Sequence, residues 1–267
     1  MMILPMLSGP GTQYIQVGTG GALQTIGVGV GDVAPGSRGT GAVDLQTKRT
    51  ASSQVAAGSY STIMGGQDNT ASGAYAGAVG YANSPSGSAA FAAGYNNRAS
   101  GPYSSAHGKD ALAEHIGQHA FSGGKYNHRG DQQFTMTVLR RLTTDGALTQ
   151  LTLDGNDVNV GVNRFRIIDG KSYTFLLILS AVAEDGDDSA SFVRLFSVRN
   201  DAGTTTLAAA AQTIGDDILV ASASDWTVAI SVDDTQDELK VEVRADAGSN
   251  VLWTGLLISV EAGFIDG

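Results

Sequence analysis

The feature that most constrains this chain is a fourteen-residue repeat. Three units align without gaps: Gly73-Ala-Tyr-Ala-Gly-Ala-Val-Gly-Tyr-Ala-Asn-Ser-Pro-Ser86, Gly87–Ser100 and Gly101–Glu114. The unit Ser59–Ser72 precedes them with a one-residue slip, because its leading glycine is Gly58. The eighth position is Gly66, Gly80, Gly94 and Gly108 in turn. The eleventh is Asn69, Asn83 and Asn97, and the fourteenth is Ser72, Ser86 and Ser100. A degraded fifth unit starts at His115 and runs to about Lys125.

The period decides the architecture. Helical repeats need about 33 residues or more, so fourteen is too short for a helix pair. It suits one coil of a parallel β-solenoid, with two short strands and two tight turns. A fixed glycine supplies a positive φ at a turn. A fixed asparagine tolerates the same region and can stack into a hydrogen-bonded ladder. Ala76 and Ala78, Ala90 and Ala92, and Ser104 and Ala106 alternate as small inward residues, so the coil is thin. Ile63, Tyr75, Phe91 and Tyr103 are expected on the outward face. Such a coil buries too little apolar surface to stand alone, which points to packing of the outward aromatics against sister chains. A low-complexity linker would not hold Gly, Asn and Ser in register through successive units.

The segment Ser88-Ala-Ala-Phe-Ala-Ala-Gly94-Tyr-Asn-Asn97-Arg-Ala-Ser-Gly101 resembles the head repeats of YadA-type trimeric adhesins. That resemblance implies a left-handed parallel β-roll with three chains side by side. The stretch from Gly39 to Gly58, which leads into the repeat, resembles fibre proteins of tailed bacteriophages. Together the two likenesses cover residues 39–125. Bacterial adhesins also carry a heptad stalk, a membrane-anchor barrel and an export signal. None is visible here: Met1–Leu7 is apolar but short and has no Lys or Arg. The departure favours a virion protein over a bacterial surface protein.

Composition changes sharply near Lys125–Asp131. Residues 1–130 hold 25 of the 36 Gly, with 7 basic and 5 acidic residues. Residues 131–267 hold 11 Gly, with 9 basic and 21 acidic residues, a net charge of −12. Three regions follow: a virion-anchoring segment over 1–50, a β-roll shaft over 51–130 and a C-terminal β domain over 131–267. In the anchor, Gly18–Gly21 and Gly27–Gly31 read as short strands or loops.

The C-terminal region changes to alternation. Strands are expected at Phe134–Val138, Leu151–Leu153, Val158–Val162, Tyr173–Val182, Phe192–Val198, Trp226–Val232, Leu239–Val243 and Val251–Val260. The Tyr173–Val182 run is nearly all apolar, which reads as a strand buried on both faces. Turn pairs such as Asp145-Gly146, Asp169-Gly170 and Asp185-Gly186 separate the strands. So many short strands imply an antiparallel β-sandwich or jelly roll. The whole is then an all-β homotrimer. The segment Val138–Gly155, together with Trp253, again resembles C-terminal domains of phage fibres.

The candidate functional residues are few. The chain has no Cys, and no Gly-Lys-Ser/Thr follows the glycine-rich stretches, so neither thiolate metal sites nor phosphate loops are expected. No cofactor, catalytic residue or metal site is assigned. His115 and His119 are four apart, and a histidine on a threefold axis would supply three ligands. Solvated or stacked histidines are the simpler reading. The acid runs Glu184–Asp188 and Asp233–Glu238 lack EF-hand spacing and read as turn carboxylates. Arg129-Gly130-Asp131 is a cell-adhesion tripeptide explained by chance. Trp226 and Trp253 read as core. Tyr75, Phe91 and Tyr103, with Tyr81, Tyr95 and Tyr126 in the repeat turns, are candidates for trimer packing or a binding surface.

The net charge of −10 argues against non-specific nucleic-acid binding, and no apolar run is long enough for a spanning helix. The expectation is a non-enzymatic tail fibre of a virion. It would join other virion proteins through its N-terminus and contact a host glycan or outer-membrane component. The alternatives are a head fibre or capsid-decorating protein and a glycan-cleaving tailspike. The tailspike is disfavoured because the coils are thin.

Overall fold

The computed structural model describes residues 37–159, 162–220 and 223–264, and the backbone of two strands, Tyr14–Val17 and Leu23–Ile26. The Gly18–Gly21 and Gly27–Gly31 stretches lie outside the described residues, as does Met1–Leu7. The chain divides into two compact units, Met1–Lys125 and Tyr126–Gly267.

The first unit is a parallel β-solenoid of about four turns. Its strands are β1 (Tyr14–Val17), β2 (Leu23–Ile26), β3 (Val43–Asp44), β4 (Thr62–Gln67), β5 (Gly77–Tyr81), β6 (Ser84–Pro85), β7 (Phe91–Tyr95), β8 (Arg98–Ala99), β9 (Ser105–Lys109), β10 (Leu112–Ala113) and β11 (His119–Gly123). The longer wall stacks β3-β4-β5-β7-β9-β11, all parallel. The shorter wall stacks β6-β8-β10. Pairing advances by fourteen residues, as in Gly80↔Gly94 and Gly94↔Gly108. The slip in the first unit is absorbed between Ile63 and Gly66 by a bulge in the β4–β5 ladder.

Alanine fills the interior. Ala76, Ala78, Ala90, Ala92, Ala106 and Ala120 are buried, and Ser104 with them. Ile63 corrects an expectation: it is fully buried rather than outward. It joins Ala42, Ala56, Ala71 and Ala78 in one core cluster. The bulge follows Ile63, so residues before it keep the inward phase and Met64 turns outward.

Two glycine positions hold the coils together. The repeat glycines Gly66, Gly80, Gly94 and Gly108 have φ of 90, 107, 114 and 89°. A Cβ on any of them would lie 1.9–2.2 Å from a carbonyl oxygen of the next coil. At the first position, φ is not the reason. There a Cβ on Gly73, Gly87 or Gly101 would meet the next coil's backbone oxygen at 2.0–2.1 Å. His115 and Ser122 stand at these two positions in the last coil.

The asparagines form the ladder, but not with a positive φ of their own. That conformation falls one residue earlier, at Asp68, Ala82, Asn96 and Asp110. Asn69, Asn83 and Asn97 are fully buried. Each Oδ1 accepts the backbone N–H one coil on, at 2.9, 3.0 and 2.8 Å for Asn83, Asn97 and Ala111. Asn83 Nδ2 also donates to Val79 O and Gly94 O at 2.9 and 2.8 Å, and Asn97 repeats the pattern. Gln46 begins the ladder by accepting Asn69 N–H at 2.8 Å.

The second unit contains β12 (Gln132–Thr143), β13 (Thr149–Gln150), β14 (Phe165–Arg166), β15 (Lys171–Ala183), β16 (Ser189–Asp201), β17 (Thr204–Leu207), β18 (Gln212–Thr213), β19 (Ile218–Val220), β20 (Thr227–Asp233), β21 (Glu238–Arg244) and β22 (Val251–Gly263). One antiparallel sheet runs β12-β22-β15-β16, and β17, β18 and β19 each pair with β16. A smaller antiparallel sheet gathers β13, β14 and β20 around β21. Aromatic rings meet between the two layers. Trp226 lies 5.6 Å from Trp253, and Phe165 lies 5.4 Å from Phe175. Both tryptophans are buried.

Three expectations for this unit change. Leu151–Leu153 contains a single bridge, Arg140↔Thr152, instead of a strand. The described residues of Val158–Val162 form no strand, and Gly161 and Val160 lie outside the description. Above all, β15 is not buried on both faces. Tyr173, Phe175, Leu177 and Leu179 point into the core, whereas Ile178 is 45% exposed and Val182 42%. Among the described residues of this unit, the outer face of the sheet leaves several apolar side chains exposed.

Candidate functional site

The fourteen-residue register turns single aromatic residues into columns. Tyr81 and Tyr95 pair across β5 and β7, and their rings stack at 4.9 Å with 22° between planes. Lys109 continues the column on β9, with its Nζ 5.6 Å from the Tyr95 ring, within cation–π reach. At the third repeat position Tyr60 and Tyr75 stack at 5.5 Å, nearly parallel. Tyr75 and Tyr103 are 64% and 67% exposed, and Ala89 separates them in the repeat.

A third column runs along the outer side of the longer wall. Phe91 and His107 lie 5.8 Å apart, and His107 stacks on Phe121 at 5.4 Å. His119 Nδ1 lies 2.7 Å from Ser105 Oγ. Burial holds the His107 imidazole below its ordinary value, and the neighbouring His119 adds to the lowering. Tyr60, His107 and Phe121 were not singled out from the sequence. The signal was available in the repeat, because Tyr60 shares its position with Tyr75, and His107 with Phe121.

The remaining candidates are occupied elsewhere. His115 is buried and bonded to Gln118, in a turn rather than a helix. Asp131 of the Arg-Gly-Asp tripeptide is buried and accepts N–H groups of Tyr126, Asn127 and His128. Burial alone would raise its pKa, but these three N–H groups and nearby Lys171 bring it below the usual carboxylate range. Tyr126 is exposed and packs edge-on against Phe264.

The acid runs tie loops together. Glu184 accepts from Asn250 Nδ2 at 2.6 Å. Asp234 and Asp237 accept the N–H and hydroxyl of Thr205, and buried Glu238 pairs with Arg164. Glu261, also buried, is saturated by Lys171, Gln133, Thr135 and Ser259 at 2.9–3.0 Å. Among the described residues, no group of three or more His, Asp or Glu is placed to hold a metal ion. A cavity of about 390 Å³ opens beside Lys171, Arg199, Asp201 and Phe264.

No protein-family model matches the chain. No curated protein matches it either. Among solved structures, it is similar to the tailspike protein of Acinetobacter phage vB_ApiP_P1, with a TM-score of 0.29 and 11% identity over 84% of this chain and 56% of that one. It is similar to the tailspike of Acinetobacter baumannii phage AM24, at 0.28 and 10% over 84% and 52%. A third is tailspike gp49 of Acinetobacter baumannii bacteriophage Fri1, described as a capsular polysaccharide depolymerase, at 0.27 and 7% over 91% and 45%. The chain thus spans about half the length of these proteins. At such scores the likenesses carry no activity over to this chain.

The comparison nonetheless corrects one expectation, that the chain is not an enzyme. The structures it is similar to are tailspikes, one of them named a depolymerase. The coil-thickness argument against cleavage also fails physically. A thin interior excludes a cleft inside the coil and says nothing of the outer walls. The non-enzymatic reading is withdrawn.

Proposed function

We propose that this chain is a virion-associated tail protein of a tailed bacteriophage that engages polysaccharide on the host surface. The observation that carries the reading is the exposed Tyr81–Tyr95 stack, continued by Lys109. Contiguous exposed aromatic surface marks interaction sites, and a ring with a polar tip suits a partner with apolar faces and hydroxyl edges. A sugar ring has both. The resemblance of residues 39–125 to phage fibres and trimeric adhesin heads supports the virion setting. It also supports a left-handed roll in a homotrimer. Residues 1–50 are the segment proposed to join other virion proteins, and the two aromatic-linked sheets of residues 126–267 are read as a β-sandwich. The net charge of −12 on residues 131–267 disfavours a bare polyanion there, so the glycan is neutral or bridged by divalent cations.

The test uses the full chain on susceptible cells. The protein should bind them and slow phage adsorption, with avidity from several weak sites on one rigid body. The double variant Tyr81→Ala, Tyr95→Ala should lose about tenfold in binding, on the order of 1.4 kcal/mol. Reducing-end assay of the treated glycan reads cleavage in the same sample. Full-length protein that neither binds nor slows adsorption would favour a capsid-decorating role instead.

A further inference from the structure

The outer face of the β12-β22-β15-β16 sheet carries apolar rows that the described residues of its own unit leave exposed. Register defines its rows. One row is Val138, Leu256, Ile178 and Val193, and the next is Met136, Ile258, Leu176 and Leu195. Leu142, Leu252 and Val182 form a third apolar row toward one end. Val138, Leu142, Ile178, Val182 and Leu252 are 42–54% exposed, and Val260 is 61% exposed. A polar row of Arg140, Thr254, Ser180 and Ser191 separates the first row from the third, and Gln132, Ser172 and Arg199 close the far end, so Arg140 and Arg199 are the charged side chains among the described residues of this face. A strand that is apolar on both sides normally has both sides buried. Here only the inner side is.

We infer that this face is the surface through which copies of the chain assemble. Strands about 4.8 Å apart and same-face residues about 6.8 Å apart give the four strands a footprint on the order of 650 Å². The apolar rows make up about half of that footprint, so the apolar patch itself falls within the roughly 300–600 Å² of a typical monomer, and the footprint is the area that a docked partner would cover. It approaches the roughly 800 Å² that each partner contributes to a stable interface. Charge selects the occupant. Residues 131–267 carry 21 acids, yet none stands in these rows, so an identical copy meets the face without repulsion. A glycan or an anionic surface would find its arginines, Arg140 and Arg199, only on the edge strands, around an apolar centre. Assembly through this sheet leaves the solenoid tyrosines available for ligand.

The inference rests on the homotrimer of the proposed function and not on its glycan ligand. Light scattering of the full chain should give about three times 27.3 kDa. Ile178→Lys, at an exposed position, should reduce the mass to that of one chain while tryptophan fluorescence stays native. Val138→Lys should do the same, in case the first variant fails to fold. Tyr75→Ala with Tyr103→Ala should leave the assembly intact. An assembly that survives both lysines, or that the tyrosine variant dissociates, overturns this surface and keeps the oligomer. A wild-type chain with the mass of one copy overturns both.

Discussion

The solenoid and the C-terminal unit reach stability by opposite routes. In the solenoid the interior is alanine, and adhesion between coils comes from backbone stacking and the buried asparagine ladder. In the C-terminal unit the interior is aromatic and aliphatic, with Trp253, Tyr173, Phe165 and Phe175 fully buried. The first route tolerates almost no added volume but needs little from any one side chain. The second depends on large side chains and relaxes around small changes. Repetition explains the difference. When each coil lies about 4.8 Å from the next, a single methyl group in the wrong place meets backbone. A two-layer packing holds its sheets about 10 Å apart and leaves room for rings.

The sharpest way to break this contrast is Gly87→Ala. Its Cβ would lie 2.1 Å from Gly101 O, and backbone on both sides cannot yield. A loss above about 4 kcal/mol is expected, read as loss of amide protection in the coils. Both tryptophans lie in the C-terminal unit, so their fluorescence should stay native. Gly123→Ala meets nothing within 4 Å and should cost under about 0.5 kcal/mol. Equal effects at the two glycines would sink the stacking argument.

Phe175→Ala should produce the reverse pattern. It removes a ring that touches Phe165, Tyr173 and Phe196. A loss of about 3–4 kcal/mol in the tryptophan-monitored transition is expected, with coil protection unchanged. Asn83→Ala comes next. It removes the side-chain amide that donates to Val79 O and Gly94 O and strands the N–H of Asn97 in the interior. About 2–3 kcal/mol should be lost from the solenoid, and an unchanged coil stability would show that the ladder is dispensable.

The smallest effect separates the units by pH. The His107 pKa is depressed from 6.5, so the unfolded chain takes its proton first. Solenoid stability is therefore full above that value and declines as pH falls below it. The Asp131 pKa is depressed from 3.8, so its contribution to the C-terminal unit is present above that value and fades below it. Coil protection should weaken in mild acid, before the tryptophan signal responds. His107→Phe should remove the first step, and Asp131→Asn should remove the second at the cost of a weakened loop. A simultaneous decline of both signals in wild type would remove the distinction.

Much of the solenoid was legible because a repeat states its geometry several times over. The glycines and asparagines recur at the same coil positions, so period alone places them near turns. Their physical roles were only half legible. At Gly87 the constraint is the carbonyl of the coil above, and at Asn83 the positive φ belongs to Ala82. Ile63 was misread because the one-residue slip in its unit shows that a bulge is needed but not where along the strand the phase changes. In the C-terminal unit the long strands were legible from alternation, while Val158–Val162 alternates and forms no strand among its described residues. The aromatic columns needed the exact coil register before Tyr60, His107 and Phe121 joined their neighbours.

From sequence alone came the coil period, the small interior and the change of material near residue 125, because composition and periodicity are local properties of the chain. Only tertiary structure decided which side of an apolar strand is covered. Tyr173–Val182 reads the same whether its second face meets a layer of its own chain or solvent. Alternation records that two faces exist, and neighbours far away in sequence determine what each face meets. For β15 the inner face meets Phe165 and Phe196, and the outer face, carrying Ile178, is left exposed by the described residues of its unit.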